Sequence, residues 1–243
     1  RREVRALTRG ALLAAAIGVA GVTESVAGIS MGRVELFSGY HAQDYSTVDQ
    51  KLPLFSGGQF DVWCGAAEGW GGQLDLMAGR YATSEWVGLA GAQVWRRGAG
   101  GLLGFGFVHT ELEGGIQSEQ VRLDGEIYED DLVDVVAGVG WEAKNFGDDI
   151  GFGEIFLRLH PTERLDLVSG FSYAPTGIKQ TRADILFRAD WDLARWADKT
   201  FSVHGEFGGN LFTKASLGLV VRFDGLARRE SGRTRDRRLF RFR

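Results

Sequence analysis

Period-two alternation, abundant glycine with almost no proline, and a strongly ionic second face predict an all-β fold. The specific expectation is a transmembrane antiparallel up-and-down β-barrel of about twelve strands. Successive side chains of a strand point to opposite faces, so apolar and polar residues that alternate position by position mark a two-sided sheet. Residues 214–223, KASLGLVVRF, show the pattern. Ala215, Leu217, Leu219, Val221 and Phe223 fall on one parity, and Ser216, Gly218, Val220 and Arg222 on the other. The 36 glycines in 243 residues are about twice the usual ~7%, whereas prolines number 3. Glycine without proline suits closely packed, curved strands.

Taken in order, residues 1–27 read as an export signal. Arg1, Arg2, Arg5 and Arg9 form a basic start, Ala11 to Val22 an apolar run, and Ser25-Val26-Ala27 the small residues of a cleavage site. That run is shorter than the roughly 20 residues a membrane helix needs, so it targets rather than anchors. After Gly28 no long helical period appears, and alternation recurs. Strands are expected near Arg33–His41, Gly58–Gly65, Gly72–Tyr81, Glu85–Arg96, Leu102–Glu111 and Gln120–Tyr128. Six more follow at Asp131–Ala143, Ile150–Leu159, Arg164–Ala174, Lys179–Trp191, Thr200–Gly208 and Lys214–Phe223. Several have the roughly 9 to 11 residues with which a tilted strand crosses a bilayer. Between them stand turn formers such as Arg97-Gly98-Ala99-Gly100, Glu113-Gly114-Gly115 and Pro175-Thr176-Gly177. The longest expected loop, His41 to Gly57, is a candidate lid or a plain solvated loop. Residues 28–223 therefore read as one barrel domain and 224–243 as a flexible basic tail.

The formal charge of −4 is unevenly spread. Eight Arg against three acids give residues 224–243 a charge of +5; residues 1–27 carry +2, which leaves −11 on the body. An acidic body argues against nucleic acid, which needs a basic footprint. The single cysteine, Cys64, excludes an internal disulfide and a cysteine metal site. It shares parity with Phe60 and Val62, which makes it a lipid-facing or packed thiol.

Alternation alone does not say which face is inside. Ionic residues on one parity, such as Arg182, Asp184, Arg188 and Asp190 against Ala183, Ile185, Phe187 and Ala189, favour a polar inside and an apolar, lipid-facing outside. Aromatics near strand ends, Tyr40, Trp86, Trp95, Tyr128, Trp141, Tyr173, Trp191 and Phe223, fit interfacial girdles. The lumen is then expected to receive Asp75, Arg122, Asp124, Glu126, Asp134, Glu142, Glu154, Arg158, Arg182, Asp184, Arg188, Asp190, Glu206 and Arg222. Charges of both signs on one enclosed wall either pair and close the lumen or line a narrow aqueous path. Carboxylates outnumber arginines, so an open path would favour cations.

In the last strand Ser216, Gly218, Val221 and Phe223 match polar, x, Gly, x, x, hydrophobic, x, aromatic. This resembles the closing-strand signal read by the barrel assembly machinery of bacterial outer membranes. The stretches GQFDVW, GGQLDLMAGRY, VRLDGEIYEDDLVDVVAGVGW, HPTERLDLVSGFSY and LGLVVRFDG, followed by RTRDRR, resemble a porin-like family of Gram-negative outer-membrane β-barrels. That resemblance implies export to the periplasm, an outer-membrane location, membrane lipid and the assembly machinery as partners, and small polar solutes as cargo. It implies no cofactor and no catalytic residues, and it leaves the oligomeric state open. The tail after Phe223 departs from the usual pattern, in which the aromatic ends the chain.

Enzymatic signals are sparse. Ser202, His204 and Glu206 share a strand face, as a lipid hydrolase would need, yet same-face neighbours stand roughly 6.5 to 7 Å apart and no motif surrounds them. His41, His109 and His160 lack metal-ligand spacing. Three functions therefore stay in view: a porin-like passage or envelope-structural barrel, an accessory barrel for polysaccharide export, and an outer-membrane hydrolase.

Overall fold

The computed structural model describes residues 30–41, 54–65, 69–81, 86–128, 132–145, 149–176, 180–196, 199–209 and 214–223. These form β1 (Ser30–His41), β2 (Leu54–Gly65), β3 (Gly69–Tyr81), β4 (Trp86–Gly98), β5 (Gly101–Leu112) and β6 (Ile116–Tyr128). The second half comprises β7 (Val133–Lys144), β8 (Ile150–Thr162), β9 (Leu165–Thr176), β10 (Gln180–Trp196), β11 (Lys199–Gly209) and β12 (Lys214–Phe223). Each strand pairs antiparallel with its neighbour in sequence, and β12 returns to β1, so the sheet closes without an edge. The expected signal segment 1–27, the tail 224–243 and most of the loop after His41 lie outside the described residues.

The first and last strands share one rim, where Gly32 stands opposite Phe223. At that rim Ala99-Gly100 joins β4 to β5 and Glu163-Arg164 joins β8 to β9. At the other rim residues 42–53 separate β1 from β2. Short turns on the side of the termini and longer connections opposite are the asymmetry of membrane barrels. In the β5–β6 turn Gly114 and Gly115 have φ of 86° and 76°, conformations that glycine adopts without a steric cost.

Strand lengths depart from expectation in instructive places. β2 begins at Leu54 rather than Gly58, because Leu54 to Gly57 already pair with Phe37 to Tyr40. β10 runs on to Trp196 past an irregularity between Asp192 and Ala194, which breaks the alternation that would have revealed it.

The outer wall is apolar. Leu36, Leu76, Phe105, Leu123, Val139, Ile155, Trp191 and Leu217 are all exposed there. From Trp70 to Arg80 the outward positions are Gly72, Leu74, Leu76 and Ala78. Ten steps of ~3.3 Å, tilted by about 45°, make a band about 23 Å tall. A closed barrel with such a band belongs in a bilayer, since water would meet a continuous apolar surface and lipid meets no unpaired backbone. A concave apolar groove of about 980 Å³ crosses this outer wall between β8 and β12, lined by Leu157, Leu167, Phe187, Phe207 and Leu217.

Trp86, Trp141, Tyr173, Trp191 and Phe223 face outward, as girdle residues should. Trp95 and Tyr128 do not: they are 2% and 9% exposed and point inward. The nine-residue step from Trp86 to Trp95 reverses the face, and Tyr128 keeps the parity of Arg122, Asp124 and Glu126. The side chains of Tyr40 and Cys64 lie outside the described residues.

Glycine has a second role beyond curvature. Phe37 lies over Gly57, Phe55 over Gly79, Phe152 over Gly140 and Phe156 over Gly170; a Cβ at Gly57 would meet the Phe37 ring at 3.0 Å. Each facing glycine makes room for an inward ring, the pairing that stabilises glycine-rich strands.

Candidate functional site

The inner wall is where this barrel concentrates its chemistry. Inward positions bury six arginines, ten carboxylates and His204, all at 9% exposure or less. Of the residues expected inside, Asp75, Arg122, Asp124, Glu126, Asp134, Arg158, Asp184, Arg188, Asp190 and Arg222 are buried. The Glu154 carboxylate is 6% exposed, while Glu142 and Glu206 are half-buried on the same parity. The side chain of Arg182 lies outside the described residues; its backbone pairs with Ala174.

Most of these groups meet as ion pairs. Arg122, on β6, donates from Nε to both oxygens of Asp124, at 3.0 and 2.8 Å, and from Nη2 to Asp124 and to Glu154 of β8, each at 2.5 Å. Its guanidinium also sits 5.9 Å from the Phe152 ring centre. Arg158 lies 3.6 Å from Glu126 and 4.0 Å from Asp134. Arg188 donates to Asp190 at 2.5 Å. In a site sheltered from water such charge-assisted bonds are stronger than neutral ones and fix side-chain geometry.

Partners that composition did not single out complete the network. Arg33 donates from Nε to Asp61 at 2.6 Å, and Gln93 donates to Asp124 at 2.8 Å. His160 has Asp134 at 3.0 Å on Nε2 and Asp166 at 2.8 Å on Nδ1. Parity would have found Arg33 and Glu35, since Val34 and Leu36 flank them on the apolar side. The contacts of His160 follow a register shift between Leu159 and Thr162, which alternation does not register.

Part of the inner wall is apolar instead. Phe37, Phe55, Met77 and Val87 form a buried cluster with Leu89 and Leu112 against it, on the inward face of β1 to β5 toward the rim opposite the termini. Phe37 and Phe55 stack at 5.4 Å. A polar lumen was the expectation, and these residues narrow it with packed side chains.

The candidate hydrolase residues are otherwise engaged. Ser202 donates its hydroxyl to Asp192 at 2.7 Å and accepts from Arg222 at 2.9 Å. His204, buried against Gly218, lies 3.5 Å from Glu35. A nucleophile must pass its proton to a base; here the Ser202 proton points at Asp192 and the imidazole at Glu35. Among the described residues no group of three or more His, Cys, Asp or Glu could hold a metal ion.

Solved structures share this architecture. The NanC porin superposes with a TM-score of 0.58 at 8% identity, covering 79% of this chain and 99% of that one. The KdgM porin gives 0.53 at 10% identity over the same shares. An outer membrane channel from Pseudomonas putida F1 gives 0.54 at 12% identity, covering 81% and 95%. No known protein family matches the sequence, and no curated protein does. The chain thus has the porin-like fold of outer-membrane β-barrels.

Proposed function

We propose that the chain is a narrow outer-membrane channel that passes small polar solutes with a preference for cations. The observation that carries this reading is the sign of the inner wall: ten buried carboxylates against six arginines inside a barrel whose outside is apolar. An enclosed wall of one net sign raises the local concentration of the opposite ion. Export through residues 1–27 and insertion through Ser216, Gly218, Val221 and Phe223 belong to the same reading, supported by the place of β12 as the strand that closes on β1. Glu142 and Glu206, half-buried on the inner parity, would line the path.

A solved structure shows the KdgM porin in complex with disordered oligogalacturonate, whose sugar units carry carboxylates. The net acidity here argues for different cargo. Polymer export would want free aromatic faces along the lumen, whereas Phe55, Phe152 and Phe156 pack against wall glycines. Single-channel recording of refolded protein in planar bilayers tests the reading. Discrete conductance steps in KCl are expected; folded protein that never conducts would remove the channel and leave an envelope-structural barrel.

A further inference from the structure

We propose that the outer face of the barrel, at the rim of the first and last strands, binds the headgroup of an anionic phospholipid on a row formed by Trp196, Lys199 and Phe223.

Outward charges divide unequally between the two rims. At the rim where Gly32 meets Phe223, the charged outward strand positions are Arg96 of β4 and Lys199 of β11, and among the described residues no carboxylate takes an outward strand position there. At the opposite rim Arg80 shares the outer face with Glu111 and Glu119. The positive rim is the one with the short turns, the periplasmic side of such barrels.

Lys199 stands directly opposite Trp196 of β10 on one side and Phe223 of β12 on the other, all three on the outer face. Its ammonium lies 5.8 Å from the Phe223 ring centre, and Trp196 is 72% exposed. An ammonium has three donors and is strongly hydrated, so a stable partner for it must supply hydrogen-bond acceptors. Among the described residues no carboxylate or other acceptor reaches the Lys199 ammonium, whereas Arg33, Arg122, Arg158, Arg188 and Arg222 of the inner wall each meet a carboxylate. Toward the middle of the membrane the outer face of β11 continues as Phe201, Val203, Gly205 and Phe207. Lys199 therefore stands at the edge of the apolar band, at the depth of the headgroups, where an exposed tryptophan also settles. The anion that a bilayer presents at this depth is a lipid phosphate. A zwitterionic headgroup brings its own cation, which Lys199 repels; a net-negative one does not. Trp70 opposite Arg96 repeats the arrangement on β3 and β4 of the same rim.

Native mass spectrometry of the full chain, refolded in detergent and titrated with phosphatidylglycerol or with phosphatidylcholine of the same acyl chains, tests this. Heat-modifiable migration on gels checks that each protein is folded. Wild type should hold phosphatidylglycerol about fivefold or more tighter than phosphatidylcholine, the effect of one basic residue at an anionic surface. Lys199→Gln should abolish most of that preference and leave phosphatidylcholine unchanged, and Lys199→Arg should keep it. Lys144→Gln, which removes one positive charge at the opposite rim, should behave as wild type. The basic segment after Phe223 is common to all these proteins, so its own attraction cancels. Should Lys199→Gln not fold, Trp196→Leu reads the same loss. Equal affinity of wild type for the two lipids, an unaltered preference in Lys199→Gln, or an equal loss in Lys144→Gln overturns the proposal.

Discussion

Arg122→Met should cost the barrel about 3 kcal/mol, at the lower end of the roughly 3–5 kcal/mol for breaking a buried ion pair. The guanidinium joins β6 to β8 through Asp124 and Glu154, whose carboxylates are 11% and 6% exposed. Methionine keeps much of the volume over Phe152 but strands two carboxylates. Asp124 retains the Gln93 amide, and for that reason the lower figure applies. Three kcal/mol is about two decades in the folding equilibrium. At a urea slope of about 3 kcal/mol/M it lowers the midpoint by about 1 M. Unfolding from lipid vesicles, followed by tryptophan fluorescence and by heat-modifiable migration on gels, reads this directly. The triple variant Arg122→Met, Asp124→Asn, Glu154→Gln should recover most of the loss, because no buried charge is then left alone. A midpoint for Arg122→Met equal to wild type would refute the claim that the inner network is sheltered from water.

Two further perturbations probe the wall itself. Gly79→Val places a branched side chain in the Phe55 ring and should cost about 1–3 kcal/mol by overpacking, with Phe55→Ala restoring much of it in the double variant; additive losses would count against the ring-over-glycine packing. Phe223→Ala should reduce folded yield in cells, whereas truncation after Phe223 should leave a heat-modifiable barrel; normal yield from Phe223→Ala would argue that β12 carries no assembly signal at its end.

The fold was legible because a membrane barrel writes its two environments into alternate residues. KASLGLVVRF and TRADILFRADW each separate a lipid face from a lumen face; β12 formed where alternation placed it, and β10 covered its expected core and ran on to Trp196. Parity failed where side-chain type was weighed above position. Trp95 and Tyr128 look like girdle residues, yet the count from Trp86 and from Glu126 turns them inward. Irregularities hid the rest, since the shifts after Asp192 and Leu159 reset the alternation. The Asp61 and Asp75 pair was half visible: each carboxylate sits in a readable strand, but their opposition is a property of the cross-strand register, which the alternation of either strand read alone does not give. The inner cluster around Phe37 and Phe55 was invisible for a related reason, because small outward residues such as Ser38 and Ser56 leave the parity there without contrast.

Reversal potential across a bilayer holding the refolded barrel in a KCl gradient measures the account most directly. An inner wall with four more buried carboxylates than arginines predicts a potential displaced toward the K+ equilibrium value, with Glu206→Gln, at a half-buried inner position, reducing the displacement. A potential displaced toward the Cl− value would contradict the assignment of the acidic parity as the wall that ions meet.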